Sequence, residues 1–137
     1  MKEGLVPGIT ADFSIIVEES MMPAFDGEVV HPVLSTVSMI YYMEKAGRYV
    51  ILPYLEDDEE GAGFSIDIKH IGPAVVGQVV RFKAVCTEVN EKRVVCEVTA
   101  HTNLNIVGQG SFIQAFFKKT DMAKRIERIQ EQIRIGS

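Results

Sequence analysis

The chain has 137 residues, of which 47% are hydrophobic and 24% are charged, and its formal net charge at pH 7 is −5. This length and composition predict one globular domain over residues 1–137, and the negative charge argues against nucleic acid as a partner. Two cysteines are too few for a disulfide framework, and we find neither a signal-peptide pattern nor a membrane-spanning apolar run. We therefore expect a cytoplasmic protein with reduced thiols and no membrane association.

The N-terminal part predicts one strand followed by a loop. Apolar and polar residues alternate at the start of Thr10–Val17, which is typical of a half-buried strand. Pro23 and Gly27 then indicate a loop over Glu18–Val30. This loop carries three apolar side chains that could plug a cavity, namely Met21, Met22 and Phe25.

A long apolar helix over about residues 34–52 is predicted at the centre of the chain. Apolar residues recur there at three- and four-residue spacing: Met39, Met43, Ala46 and Val50. Ser35 or Thr36 is expected to cap the start, and Pro53 to end the helix. Glu44 is the one acidic residue of this segment, which marks it as a candidate functional residue.

Strands dominate the rest of the chain. The acidic segment Glu56–Gly63 predicts a solvated loop. Four strands are then predicted, over Phe64–His70, Val79–Val89, Val94–Thr102 and Ile106–Lys118. Residues expected to face the core are Phe64, Ile66, Ile68, His70, Phe82, Ala84, Cys86, Val94, Cys96, Val98 and Ala100. A helix over about 120–135, capped by Thr120, should end the chain with a thin apolar stripe.

This order predicts an α+β fold with an antiparallel five-stranded sheet that is covered on one face. One long helix can bury only part of the face of a five-stranded sheet. The sheet must therefore curve strongly around the helix, or a second copy of the chain must help to cover it.

The segment His31–Val37, with the long helix after it, resembles the entry to the helix in hotdog-fold thioesterases and dehydratases. The closer similarity is to the fluoroacetyl-CoA thioesterase-like family. It is carried by Thr36, Met43-Glu44, Pro53-Tyr54-Leu55, Gly63, His70, Ala100-His101 and Gly108-Gln109-Gly110. The resemblance implies a hotdog fold and hydrolysis of an acyl-CoA thioester without a metal or organic cofactor.

The resemblance also implies a catalytic set of Thr36, Glu44 and His70 at the interface of a homodimer, which could belong to a larger oligomer. Gln114 stands where the fluoroacetyl-CoA enzyme carries an arginine. This departure, together with the unmatched loop over Glu18–Val30, leaves the acyl group open.

The residue patterns alone admit two interpretations of each candidate. His70 ends an apolar stripe at the rim of the core, where a structural histidine also fits. Glu44 lies on a helix flank, where an exposed pair with Arg48 is the alternative. Thr36 could serve only as a helix cap. Three schemes stay open: attack by Glu44, activation of water by Glu44 or His70, and attack by Thr36 with His70 as base.

Further candidates surround this set. Backbone N–H groups near Gly63 could bind an oxyanion, His31 could line the entrance, and Gln114 could contact substrate. The phosphates of coenzyme A need basic side chains, for which the candidates are Lys69, Arg48, Lys118 and Lys119. The three histidines lack metal-ligand spacing, and His101 is predicted to be structural.

Two other functions compete with hydrolysis. A hotdog hydratase or dehydratase acting on acyl-CoA or acyl carrier protein would carry its helix carboxylate about one turn before Glu44, where this chain has Tyr41. A non-catalytic acyl-CoA-binding module would usually add a basic DNA-binding segment, which the sequence does not contain. The expected function is therefore hydrolysis of a short or small acyl-CoA thioester.

Overall fold

The computed structural model describes residues 1–136. Its helices and strands are β1 Thr10–Ile16, β2 Ala24–Phe25, β3 Glu28–Val29, α1 Thr36–Ile51, β4 Glu59–His70, β5 Val79–Val89, β6 Arg93–His101, β7 Ile106–Lys118 and α2 Lys119–Gly136. Short 3-10 turns follow β1 at Glu19–Met21 and α1 at Leu52–Tyr54. The order of the major elements is the predicted one.

The main sheet has five antiparallel strands in the order β1-β5-β6-β7-β4. α1 contacts every one of these strands, which requires the sheet to curve around the helix. The predicted α+β architecture is therefore confirmed. β1 and β4 form the two edges of this sheet, so each has one row of backbone groups that no neighbouring strand pairs within residues 1–136.

The central helix α1 has a side-chain cap, a buried apolar face and an end just before a proline, as its sequence pattern predicted. Ser35 is its cap, because the Ser35 hydroxyl accepts a hydrogen bond of 3.0 Å from the Ser38 N–H. The predicted apolar positions are buried, and the helix ends two residues before Pro53. Of the two predicted caps, Ser35 takes the role, and Thr36 becomes the first helical residue.

The acidic segment after α1 is only partly a loop, so this prediction is wrong from Glu59 onwards. β4 begins at Glu59, whose Cα lies opposite that of Lys118 on β7. The buried Glu59 carboxylate binds the N-terminal ammonium at 2.7 Å and accepts a hydrogen bond from the Glu56 N–H. The bond to the N-terminal ammonium is the main reason that the pKa of Glu59 lies below its usual value.

A β-bulge in β4 overturns the predicted alternation at one residue. The register with β7 shifts between Gly63 and Ser65, so Phe64 is the additional residue of the bulge. Phe64 consequently faces outward, where the guanidinium of Arg93 lies 3.6 Å from its ring centroid. Beyond the bulge the predicted parity returns, and His70 lies on the side of the sheet that faces α1.

The next two strands, β5 and β6, confirm their predicted core positions. All the expected inward residues of β5 and β6 are buried, from Phe82 to Ala100. Cys86 and Cys96 are opposite one another and both are free thiols. Burial raises the pKa of the Cys96 thiol to about 12, which fits the predicted packing role.

The two ends of the chain need smaller corrections. The loop predicted over Glu18–Val30 contains the hairpin of β2 and β3, whose turn residues Asp26 and Gly27 have φ of 53° and 82°. α2 continues directly from β7, so Thr120 lies inside the helix and the predicted cap is wrong. No helix within residues 1–136 is long and apolar enough to cross a membrane.

Candidate active site

Thr36 and His70 meet although 34 residues separate them in the chain. Thr36 starts α1 and His70 ends β4, and their Oγ1 and Nδ1 atoms are 2.8 Å apart. Because Ser35 caps the helix, the Thr36 hydroxyl does not have to. The contact therefore joins a potential nucleophile to a potential base at hydrogen-bond distance.

The surroundings of His70 favour the neutral imidazole. Desolvation lowers the pKa of His70 from the usual 6.5, and a hydrogen bond with the backbone of Gly72 opposes this shift only in part. A neutral imidazole has one nitrogen without a proton. When that nitrogen is Nδ1, the ring accepts the Thr36 proton, which is the arrangement of a general base.

A cavity of about 550 Å³ opens beside Thr36, between the N-terminus of α1 and the hairpin of β2 and β3. Its lining includes His31 and the exposed apolar side chains of Phe25, Val30 and Val37. The sequence reading did not assign Val30 and Val37 to a site. The Asp26-Gly27 pair is a recognised hairpin signal and could have indicated the wall of this cavity.

Glu44 lies apart from this pair within one chain. It follows Thr36 by eight residues on α1, which corresponds to about 12 Å along a helix axis. A methyl group placed on Gly63 would lie 3.2 Å from Oε2 of Glu44, so the carboxylate rests against the β4 backbone. The alternative pairing of Glu44 with Arg48 is not formed, because Arg48 binds Glu60 at 2.8 Å.

Gln114 is a buried polar residue that lines a cavity together with Glu44. It lies opposite Gly63 in the register of β4 and β7, and 2% of its surface is exposed. Its Nε2 atom donates a hydrogen bond of 2.7 Å to the backbone carbonyl of Gly47 on α1. Gln114, Glu44 and Gly63 line a second cavity of about 40 Å³ together with Arg48, Gly61, Ala62 and Phe112.

The four basic candidates do not form one cluster. Lys118 binds Asp58 at 2.8 Å and Arg48 binds Glu60, so acidic side chains already neutralise both. Lys69 is exposed and lines an open groove with Asp67 and Glu97, and Lys119 is exposed at the start of α2. Within residues 1–136 no group of three or more His, Cys, Asp or Glu side chains is arranged to hold a metal ion.

Solved structures of the same fold identify the class to which this protein belongs. The Thermus thermophilus hypothetical protein TTHA0967, a thioesterase superfamily member, is 32% identical over 97% of this chain and 98% of its own, with a TM-score of 0.92. The fluoroacetyl-CoA thioesterase FlK is 21% identical over 92% and 98%, with a TM-score of 0.85. A hot-dog-like protein from Thermanaerovibrio acidaminovorans is 19% identical over 89% and 90%, with a TM-score of 0.83.

The chain is therefore a hotdog-fold thioester hydrolase. It belongs to the fluoroacetyl-CoA-specific thioesterase family, whose model matches residues 17–120. No match was found among proteins of curated function. The family and fold expected from the sequence are thus confirmed.

Proposed function

We propose that this protein hydrolyses a short acyl-CoA thioester in a crevice between two copies of the chain, with Thr36, His70 and Glu44 as its catalytic residues. The contact of 2.8 Å between Thr36 and His70 is the observation that carries the proposal. Of the three schemes open from the sequence, this contact favours attack by Thr36 with His70 as the base.

The first half of the reaction is acyl transfer to Thr36. As Oγ1 attacks the thioester carbonyl carbon, its proton passes to Nδ1 of His70. The carbon–sulfur bond then breaks, and the imidazolium returns that proton to the sulfur of the leaving coenzyme A. An acyl ester on Thr36 remains, and one water hydrolyses it to release the acid. This chemistry requires only the thioester and water.

A second copy of the chain accounts for the separation of Glu44 from the other two residues. The exposed flank of α1 carries Val37 and Tyr41, which are 77% and 61% exposed, and the adjacent edge strand β4 exposes Ile66. Apolar side chains beside an unpaired strand edge are typical of a surface that another chain covers. A two-fold axis beside β4 would set the Thr36–His70 pair of one copy against Glu44 of the other.

Mixing inactive variants tests this arrangement directly. We expect Thr36→Ala and Glu44→Gln chains each to have little steady-state activity alone, whereas mixed dimers would hold one intact site of two. Random exchange at equal concentrations should therefore restore about a quarter of the wild-type rate, measured as thiol release from acyl-CoA. Thr36→Ala mixed with His70→Ala is the matched control, because both residues belong to the same pair and no intact site can form.

The outcomes separate the parts of the proposal. Recovery in the first mixture alone supports a shared site, whereas no recovery in either mixture would assign all three residues to one chain. Binding of acyl-CoA without any thiol release by the wild-type chain would remove the catalytic proposal. Full activity of Thr36→Ala would remove Thr36 as the nucleophile.

The acyl group and the phosphate contacts follow from the same site. The larger cavity beside Thr36 is the proposed acyl pocket, with His31 at its entrance, and a series of straight-chain acyl-CoA substrates would measure its length.

Lys69 and Lys119 are the basic candidates without an ion pair in the part of the chain that is described. Replacing either with Ala should raise KM for acyl-CoA and leave kcat unchanged.

A further inference from the structure

Gln114 is a buried amide that the reaction above does not yet use. Because the Gly47 carbonyl is an acceptor, the amide nitrogen must point at it, which leaves Oε1 on the other side. Oε1 has no hydrogen-bond partner within residues 1–136. Every fully enclosed side-chain oxygen or nitrogen in that range does have a partner, so Oε1 is not fully enclosed. Oε1 is therefore in reach of solvent, and Gln114 lines a cavity together with Glu44.

That cavity can admit water and carries polar groups that could hold a water molecule. Its volume of about 40 Å³ exceeds the roughly 10–15 Å³ that a single water molecule requires. The Glu44 carboxylate and the Gln114 carbonyl are both acceptors on its wall. A water molecule that donates one hydrogen bond to each keeps its lone pairs free, which is what an attacking nucleophile needs.

The charged side chains around the cavity pair with one another and leave the Glu44 carboxylate unpaired. Arg48 also lines the cavity, but its guanidinium is bound to Glu60. No ion pair or hydrogen bond of the Glu44 carboxylate is formed within the described part of the chain. Glu44 thus presents an unpaired carboxylate to this cavity.

We propose that Glu44 and Gln114 of one copy hold the water molecule that hydrolyses the acyl ester on Thr36 of the other copy, an inference that rests on the function proposed above. The water oxygen attacks the acyl carbon while Glu44 takes one of its protons. The bond between that carbon and Oγ1 of Thr36 breaks, and Glu44 passes the proton to Oγ1. The products are the free carboxylic acid and the restored Thr36 hydroxyl, so atoms and protons balance.

Gln114→Leu tests the water-positioning role, because leucine is of similar size and lacks the carbonyl. Acyl transfer should remain fast and hydrolysis of the ester should slow at least about tenfold. Stopped-flow thiol release should then show a burst of about one coenzyme A per Thr36 site, followed by a slow steady state. Intact-mass and peptide measurements should find the acyl group on Thr36, and KM should fall together with kcat.

Two further variants control the test. Val98→Ala removes buried volume from β6 without contact with the cavity, so it should lower the melting temperature without a burst. Glu44→Gln removes the base at an exposed position where folding is not at risk, and it should give the same burst as Gln114→Leu. This second variant keeps the proposal testable if Gln114→Leu does not fold.

A slower rate without a burst in Gln114→Leu, an unchanged rate, or no burst in Glu44→Gln would each overturn the water site. None of these results would affect the proposed thioesterase function, which fails only if the wild-type chain has no turnover. Full turnover by Thr36→Ala would instead remove Thr36 as the nucleophile.

Discussion

Gly63→Ala is the substitution for which the structure gives the sharpest expectation. Its added methyl group would lie 3.2 Å from Oε2 of Glu44 and 3.5 Å from Cε1 of Phe112. The first distance is shorter than ordinary van der Waals contact, so the carboxylate must shift by a few tenths of an ångström. Glu44 is exposed and flexible, and it can move at little cost to the free energy of unfolding.

Gly63→Ala should therefore leave the melting temperature nearly unchanged while it lowers kcat. Alanine in a strand is more favourable than glycine by roughly 0.5–1 kcal/mol, which offsets the tight contact and leaves the melting temperature near that of the wild type. A displacement of about 1 Å costs up to about 100-fold in rate at a catalytic residue, so a shift of a few tenths of an ångström should lower kcat by about 3- to 10-fold. Thermal melting and steady-state thiol release measure the two effects.

Gly61→Ala is the matched control, because this glycine lies two residues earlier on the same face of β4. Its methyl group would lie 2.5 Å from Cδ1 of Ile51 in the core rather than beside Glu44. This variant should lower the melting temperature and leave kcat of the folded fraction nearly unchanged. Equal effects of the two substitutions on both quantities, or an unaltered rate in Gly63→Ala, would refute the positioning of Glu44 on Gly63.

Three further predictions follow from the described contacts. Because the pKa of His70 is lowered, the acid limb of the pH profile of kcat/KM should lie below pH 6.5, and a limb at or above 6.5 would contradict this. The free energy of unfolding should also decline as the pH falls below 6.5, because the unfolded chain then binds the proton more readily than the folded chain. Ser35→Ala should cost about 1 kcal/mol in urea unfolding through loss of the helix cap, whereas Thr36→Ala should cost less; the reverse order would return the cap to Thr36. Cys86 and Cys96 should resist a thiol reagent at pH 8 until urea unfolds the chain, and rapid labelling of the folded protein would exclude the packing described here.

Much of the fold was predictable because it follows from local periodicity. The helix bounds of about 34–52 differ from the observed Thr36–Ile51 by only one or two residues, since its apolar spacing and Pro53 act locally. β5 and β7 have their predicted bounds because strict alternation identifies a half-buried strand. The acidic start of β4 was missed, since burial of the Glu59 carboxylate in this strand depends on its pairing with the N-terminal ammonium.

The candidate site was predictable in part. The resemblance named Thr36 and His70, and their contact across 34 residues fits that set. The choice between Ser35 and Thr36 as cap depended on one hydrogen bond, which no spacing rule decides. Arg48 was expected near Glu44 by helical spacing, but Glu60 on β4 offers it a partner that only folding brings within reach.

The amino-acid pattern by itself determined the element order, the buried faces of α1, β5 and β6 and the family, because these depend on side-chain periodicity and on short motifs. Tertiary structure alone decided the bulge at Phe64, the pairing of Arg48 and the position of Gln114 beneath the central helix. Each of these depends on the distance between groups that are far apart in the chain. Such distances are set by the packing of the whole sheet against α1, and no local pattern contains them.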